Sequence, residues 1–202
     1  MVADTRLINQ LRYPLPEAGE VWLFGYGSLI YKVDFPYLSS ARAGISGWSR
    51  RFWQGSHDHR GTPEAPGRVL TLIETPGAIC EGMAYRVSPK VFQHLDEREK
   101  NGYLRLELPL LFADQSTQIG IVYLASPNNG AWLGPASELA IAEQIWHAQG
   151  PSGLNRDYVW QLAHALDEMA VQDDHVFAIA DHLKAIARQC DSNAHPFVGR
   201  EY

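Results

Sequence analysis

A turn and a carboxylate are the parts of this chain best suited to chemistry. The turn, Phe24-Gly25-Tyr26-Gly27-Ser28-Leu29, follows the apolar run Val21-Trp22-Leu23. Glycines at 25 and 27 allow positive φ and close approach of a ligand, so backbone N–H groups at a strand end are offered to an anion or a polarised carbonyl. The carboxylate is Glu99, in a short helical pattern that starts at Ser88-Pro89, a cap followed by proline, and stops at Asn101-Gly102. With Val91 at the origin of a helical wheel, Leu95 falls near 40°, Phe92 near 100° and Glu99 near 80°, inside the apolar stripe. Asp96, near 140°, and Glu97, near 240°, turn towards solvent. An inward acid beside the negative end of a helix dipole keeps its proton more tightly than an exposed one, which suits a general base near neutral pH. The competing reading pairs Glu99 with a buried arginine or makes it a cap on neighbouring backbone.

Familiar loop motifs do not fit the turn. A dinucleotide fingerprint needs a third glycine where Ile30 stands, a Walker loop needs a Gly-Lys-Ser/Thr ending, and a nucleophile elbow needs glycines in place of Tyr26 and Ile30. A plain tight turn and a small-ligand loop both remain open on spacing alone.

Something must hold these parts in place, and 202 residues, 46% of them hydrophobic, suffice for one well-packed domain. We expect a single domain over 1–202, with 1–19 as an N-terminal extension and 191–202, ending at Arg200–Tyr202, as a tail. A net charge of −6 and a short Arg50-Arg51 cluster speak against a nucleic-acid partner. No run is long and apolar enough for a bilayer, and Met1 to Glu20 lacks the pattern of an export signal, so a cytoplasmic location is expected. Cys80 and Cys190, far apart and outside any CxxC pattern, read as buried thiols rather than a disulfide or a zinc site. His57-Asp58-His59 has no further ligands at a recognisable spacing, so no metal is expected.

Six segments read as strands: Val21–Phe24, Ile45–Gln54, Arg68–Ile73, Glu81–Val87, Tyr103–Ala113 and Gln118–Ala125. In the fifth, Leu104, Leu106, Leu108 and Leu110 alternate with Tyr103, Arg105, Glu107 and Pro109, the mark of one buried face. Gly55 to Gly67 is a Gly/Pro-rich loop of the length usually given to function. Ser137 is placed to cap a helix running to about Gln149, and Asn155 to cap the next. Tyr158, Val159, Leu162, Ala163 and Leu166, then Val176, Ile179, Leu183 and Ile186, repeat at helical spacing. Strands first and helices later predict an α+β fold with an antiparallel sheet or small barrel.

Four ordered blocks, FGYGSL at 24–29, RRFWQGS…HRGTPEAPGRVLTL from Arg50 to Leu72, LDEREKNGY from Leu95 to Tyr103 and GPSGLNRDYVWQLA from Gly150 to Ala163, resemble the ChaC family. The likeness runs from Val21 to about Leu183, and YKVDFPY at Tyr31–Tyr37 with the chain's shortness resembles the compact branch. It implies a γ-glutamylcyclotransferase-like small mixed β-barrel with flanking, mainly C-terminal helices. It also implies a lyase-type glutathione degradation, in which the γ-glutamyl unit closes to 5-oxoproline and releases cysteinylglycine, without cofactor, ATP or metal. By the same resemblance Phe24, Gly25, Tyr26, Gly27, Ser28 and Leu29 hold the γ-glutamyl group, and Glu99 is the proton acceptor. Tyr103 is taken as a further substrate contact. Tyr158 stands in a matching segment, and for both tyrosines a buried hydroxyl satisfied within the fold is the alternative. Arg51 or Arg68 is a candidate for a substrate carboxylate, for pairing with Glu99, or for neither. The other functions in view are a cyclotransferase for different γ-glutamyl amino acids or amines, a non-catalytic binding module, and an interaction protein using the 55–67 loop. Oligomeric state is not legible in the residues.

Overall fold

The β-branched and aromatic segments pair around a closed barrel, and the amphipathic C-terminal third packs on it as helices. The computed structural model describes residues 4–194. The strands are β1 (Val21–Gly25), β2 (Ser39–Ser56), β3 (Gly67–Val87), β4 (Tyr103–Phe112) and β5 (Thr117–Ala125), ordered β1-β3-β2-β4-β5 around the barrel. Neighbours are antiparallel except β1 and β5, whose parallel pairing of Leu23 with Ile121 closes the ring. The helices are α1 (Arg6–Arg12), α2 (Val91–Arg98), α3 (Glu138–His147), α4 (Asn155–Glu168) and α5 (Asp174–Ala194). A short hairpin, β6 (Gln149–Gly150) with β7 (Gly153–Leu154), joins α3 to α4.

The α+β barrel expectation holds, but two of the six expected strands are one strand of a five-stranded barrel, and the short β6–β7 hairpin lies outside the expected set. Arg68–Ile73 and Glu81–Val87 are two ends of the single strand β3. Its partner β2 pairs Trp48 with Glu74 and Ser46 with Ile79, so Thr75–Ala78 faces Gly47 across a register shift. Gly47 and Gly77 both have φ of +84° there. The Pro76-Gly77 punctuation therefore marks a bulge that bends a continuous hairpin.

Alternate residues of the central strands enter two cores. Phe24 and Val122 join the one that includes Ile141 and Ile145 of α3, Leu162 of α4 and Ile179 of α5. Leu23, Ile121 and Tyr123 join the other, against Phe92 and Leu95 of α2. Burial on both faces explains why β1 reads as a continuous apolar run. The predicted helix stripes are core-facing, with Val176, Ile179 and Leu183 fully buried. Along β4 the leucine face is only partly right: Leu110 is buried, Leu106 and Leu108 pack at the margin, and Arg105 on the opposite face is buried as well. Asp96, expected in solvent, is buried too, because its α2 face meets β5 and β4.

Cap geometry divides the helix-start signals. Ser137 caps α3, its Oγ accepting from the Ala140 N–H at 3.3 Å. Asn155 does not cap α4: its side chain accepts from the Arg68 N–H at 2.7 Å and donates to the Arg68 carbonyl at 2.8 Å, tying α4 to β3. Ser88 and Pro89 give their carbonyls to Val91 and Phe92, and regular α2 begins at Val91. The N-terminal extension contains α1, whose Asn9 amide donates to the Tyr103 carbonyl and accepts from the Arg105 N–H. Of the expected tail, Asp191–Ala194 continue α5, and the rest, with Arg200–Tyr202, lies outside the described residues. Cys80 is buried as expected, whereas Cys190 is exposed. No helix among the described residues is long and apolar enough to cross a membrane.

Candidate active site

β1 delivers its last residue, Gly25, opposite Met83, and the chain then leaves the barrel as a turn followed by a 3₁₀ turn at Ser28–Ile30. Neither Gly25 nor Gly27 takes a positive φ, so the expected reason for glycine is replaced by another. A β-carbon on Gly25 would lie 2.6 Å from Leu29 Cβ, and one on Gly27 would lie 2.9 Å from Tyr158 Oη. Both glycines are there because neighbours come too close for a side chain.

The turn is fixed from several directions. Arg50, 2% exposed in β2, donates from Nε to the Tyr26 carbonyl at 2.6 Å, and its other nitrogens reach the Glu81 carbonyl and, at 3.0 Å, Asp173. Tyr85 Oη donates to the Leu29 carbonyl at 2.7 Å, and Tyr26 Oη to the Tyr123 carbonyl at 2.8 Å. The N–H groups of Gly27, Ser28 and Leu29 have no acceptor among the described residues, as befits the first turn of a helix. Held carbonyls and free N–H groups make a preorganised donor set.

Two adjacent spaces meet this turn. A recess of about 60 Å³ is lined by Phe24 to Leu29, Leu70, Glu99, Tyr103, Tyr123 and Tyr158. A cleft of about 500 Å³ lies against it, and Ser28, Glu99, Tyr103 and Tyr158 belong to both. All of the turn residues, Glu99 and Tyr103 named from the sequence are thus brought together.

Glu99 follows the last residue of α2, and its side chain keeps 20% of its surface exposed. Burial raises its pKa above the usual 4.5; the Arg98 guanidinium, 3.3 Å away, and more weakly His59 oppose the rise, while Asp34 and Asp58 add to it. Arg98 also donates to Ser28 Oγ at 2.7 Å and to Asp34 at 2.9 Å, so one side chain spans the turn and the carboxylate. Both sequence readings of Glu99 hold in part: it faces the recess, and it pairs with an arginine. That arginine is its immediate neighbour, neither Arg51 nor Arg68. Arg68 donates to the Phe52 and Gly134 carbonyls and to Gln144, Arg51 donates to the Arg50 carbonyl, and neither lines the cleft.

The phenols around Glu99 are neutral donors over the physiological range. Burial foremost, with the nearby carboxylate adding to it, raises the pKa of Tyr103 and Tyr158, and burial likewise raises that of Tyr26. Tyr103 Oη donates to the Leu70 carbonyl at 2.6 Å. Tyr158 stacks edge-on to Phe52 and Tyr31, with the Arg60 guanidinium 5.8 Å from its ring centre. The 55–67 loop adds Asp58, His59 and Arg60 to the cleft wall. Asn101 donates to Asp58, and His59 Nδ1 lies 3.2 Å from Ser152 Oγ. Among the described residues no group of three His, Cys, Asp or Glu side chains is placed to hold a metal ion. Arg50, Tyr85 and Arg98 escaped the sequence reading; for Arg98 the available signal was a cation adjoining the candidate base.

Known proteins resemble this chain in sequence and fold. The family model described as ChaC-like protein matches residues 21–186. Gamma-glutamylcyclotransferase 2-3 of Arabidopsis thaliana is 41% identical over 184 residues, covering 85% of this chain and 92% of that one. The human glutathione-specific gamma-glutamylcyclotransferase 1 is 40% identical over 171 residues, covering 80% and 77%. The crystal structure of a yeast γ-glutamyl cyclotransferase specific to glutathione superposes with a TM-score of 0.77 at 29% identity, covering 82% of this chain and 96% of that one. A matched segment from β1 into α5, together with these relatives, places the chain in the ChaC-like family.

Proposed function

We propose that this protein cleaves glutathione by closing its γ-glutamyl group on itself, giving 5-oxoproline and cysteinylglycine. The observation that carries the reading is Glu99 beside a recess whose other wall is the turn with free N–H groups. The narrow recess takes the γ-glutamyl end and the wider cleft takes the dipeptide. The substrate α-amine is largely protonated near neutral pH, so it attacks only after losing a proton. Glu99 takes that proton. The amine nitrogen bonds to the γ-carbonyl carbon, the carbonyl oxygen gathers negative charge, and the N–H groups of Gly27, Ser28 and Leu29 stabilise it. As the amide to cysteine breaks, Glu99 returns the proton to the departing nitrogen, and the second proton shed by the attacking nitrogen as it becomes a lactam N–H completes the ammonium of the released cysteinylglycine. One amide is exchanged for another, so no nucleotide energy is required.

Phe24, Gly25, Tyr26, Gly27, Ser28, Leu29 and Tyr103 form the substrate wall in this reading. Snug walls also hold the flexible γ-glutamyl chain in its ring-closing shape, which supplies part of the rate. We read 1–202 as one domain, supported by α1 bonding to β4. Two cysteines unpaired within the fold fit a reducing compartment such as the cytoplasm.

The test incubates purified protein with reduced glutathione and a chelator, without ATP, and follows both products by chromatography. γ-Glutamyl-alanine and a γ-glutamylamine run in parallel. Both products from glutathione alone are expected. Turnover of the parallel compounds instead would move the specificity, and folded protein inert on all of them would leave a binding module.

A further inference from the structure

Behind the candidate site, on the other side of α2, Arg105 is 2% exposed and faces Asp96 at 3.5 Å, outside hydrogen-bond geometry. Its backbone N–H is taken by Asn9, but its side-chain Nε is left without a partner. The nearest carboxylate oxygen, Asp96 Oδ1, stands 3.5 Å from Nε and already accepts the Tyr123 hydroxyl at 2.5 Å. The Phe92 ring lies 5.9 Å from the guanidinium carbon. A guanidinium offers five N–H donors in a planar fork, and here the buried Nε–H lacks a hydrogen-bond acceptor among the described residues, its charge faced by Asp96 at 3.5 Å. Donors in that position imply an acceptor.

The space to hold one is present. A cavity of about 600 Å³ between α1 and α2 has Arg105 in its wall, with Arg6, Gln10 and Gln93 as further donors and Leu15 and Phe92 as apolar surface. Arg6 is engaged by Asp4 and Glu97 at hydrogen-bond distance, whereas Arg105 faces Asp96 only at 3.5 Å and keeps an unpartnered Nε, so Arg105 is the less fully bonded of the two cations. Asp96 and Glu97 on the same wall repel a dianion more than a monoanion, which favours carboxylate over phosphate. The apolar residues favour a short hydrocarbon tail behind the carboxylate. We propose that the cavity between α1 and α2 is a binding pocket for a small organic carboxylate, anchored by the guanidinium of Arg105. Among the described residues the pocket shares no lining residue with the recess, although Glu97 lines both the pocket and the cleft, and Tyr123, a lining residue of the recess, donates its hydroxyl to Asp96.

Calorimetric titration of the full chain with sodium acetate and sodium butyrate, at ionic strength held constant with chloride, tests this directly. Saturable binding is expected, tighter for butyrate than acetate, weakened at least about tenfold by Arg105→Gln and unchanged by Glu99→Gln. Should Arg105→Gln not fold, Gln93→Glu at the exposed rim adds a negative charge and is expected to weaken binding in the same direction. The proposal is overturned by the absence of saturable carboxylate binding, by binding undiminished in the folded Arg105→Gln and Gln93→Glu proteins, or by uptake of inorganic phosphate in preference to both carboxylates. None of these readouts depends on turnover of glutathione.

Discussion

Gly27 and Tyr158 approach so closely that a β-carbon at 27 would sit 2.9 Å from the tyrosine hydroxyl. The contact joins the turn to α4, two segments far apart in sequence, at the boundary of recess and cleft. Gly27→Ala is therefore expected to displace either the turn or the phenol, lowering kcat/KM by at least about tenfold and stability by about 1–3 kcal/mol. Tyr158→Phe in the same chain removes the clashing oxygen and recovers part of the stability. Thermal melts and steady-state kinetics on the single and double variants measure this; additive losses would mean that the contact is not the cause.

Glu99→Gln keeps the shape and removes the base. Turnover is expected to fall by about 10²–10⁴ with KM little changed. The variant also bears on stability. Folding raises the proton affinity of Glu99, so above the ordinary glutamate range the folded chain binds more protons than the unfolded one, and stability declines as pH rises through the folded value. Above the ordinary glutamate range the raised proton affinity is a cost to stability, and Glu99→Gln is expected to melt at the same temperature as the parent or higher.

Arg98 is the foremost charge opposing the rise in the Glu99 pKa. Arg98→Met is expected to shift the acidic limb of kcat/KM to higher pH and to lower activity at pH 7. Ser28→Ala removes a partner of Arg98 but not its charge, so the limb stays in place while KM rises modestly. A pH profile of both variants separates the two effects.

Arg50 and Asp173 form a largely buried pair, and Arg50 also holds the Tyr26 carbonyl. Removing the cation alone with Arg50→Met is expected to cost about 3–5 kcal/mol, because Asp173 loses its partner. Replacing both, with Arg50→Met and Asp173→Leu, costs less. Chemical denaturation of the three proteins provides the comparison, and the double variant is still expected to lose substrate affinity since the Tyr26 carbonyl then loses its Arg50 donor.

The parts of the site that sequence made legible are those fixed by local spacing. The Phe24–Leu29 turn follows an apolar strand, and Glu99 falls on the inward side of a short helix even though regular α2 ends one residue earlier. What stayed hidden depends on contacts distant in sequence. Asp96 and Arg105 sit at positions whose periodicity says solvent, and only the packing of α1 and α2 over β4 buries them. Arg50 looked like half of a small basic cluster, yet its carbonyl and carboxylate partners come from three other segments. The Pro76-Gly77 pair signals a break, and whether it ends a strand or bends one is decided by the partner strand's Gly47.

Closure of the barrel through β1 and β5 has a consequence for how activity arises during folding. The Tyr26–Tyr123 bond spans 97 residues, and the recess draws on β1, β3, β4, β5 and α4 together. The β2–β3 and β4–β5 hairpins are local and inexpensive to form, whereas joining β1 to β5 closes a long loop and is expected to be the slow step. A half-folded chain possesses Glu99 but no chamber around it. Newly made protein thus gains the power to consume a thiol reserve only at its final act of assembly, and refolding experiments should find activity returning with the slowest phase.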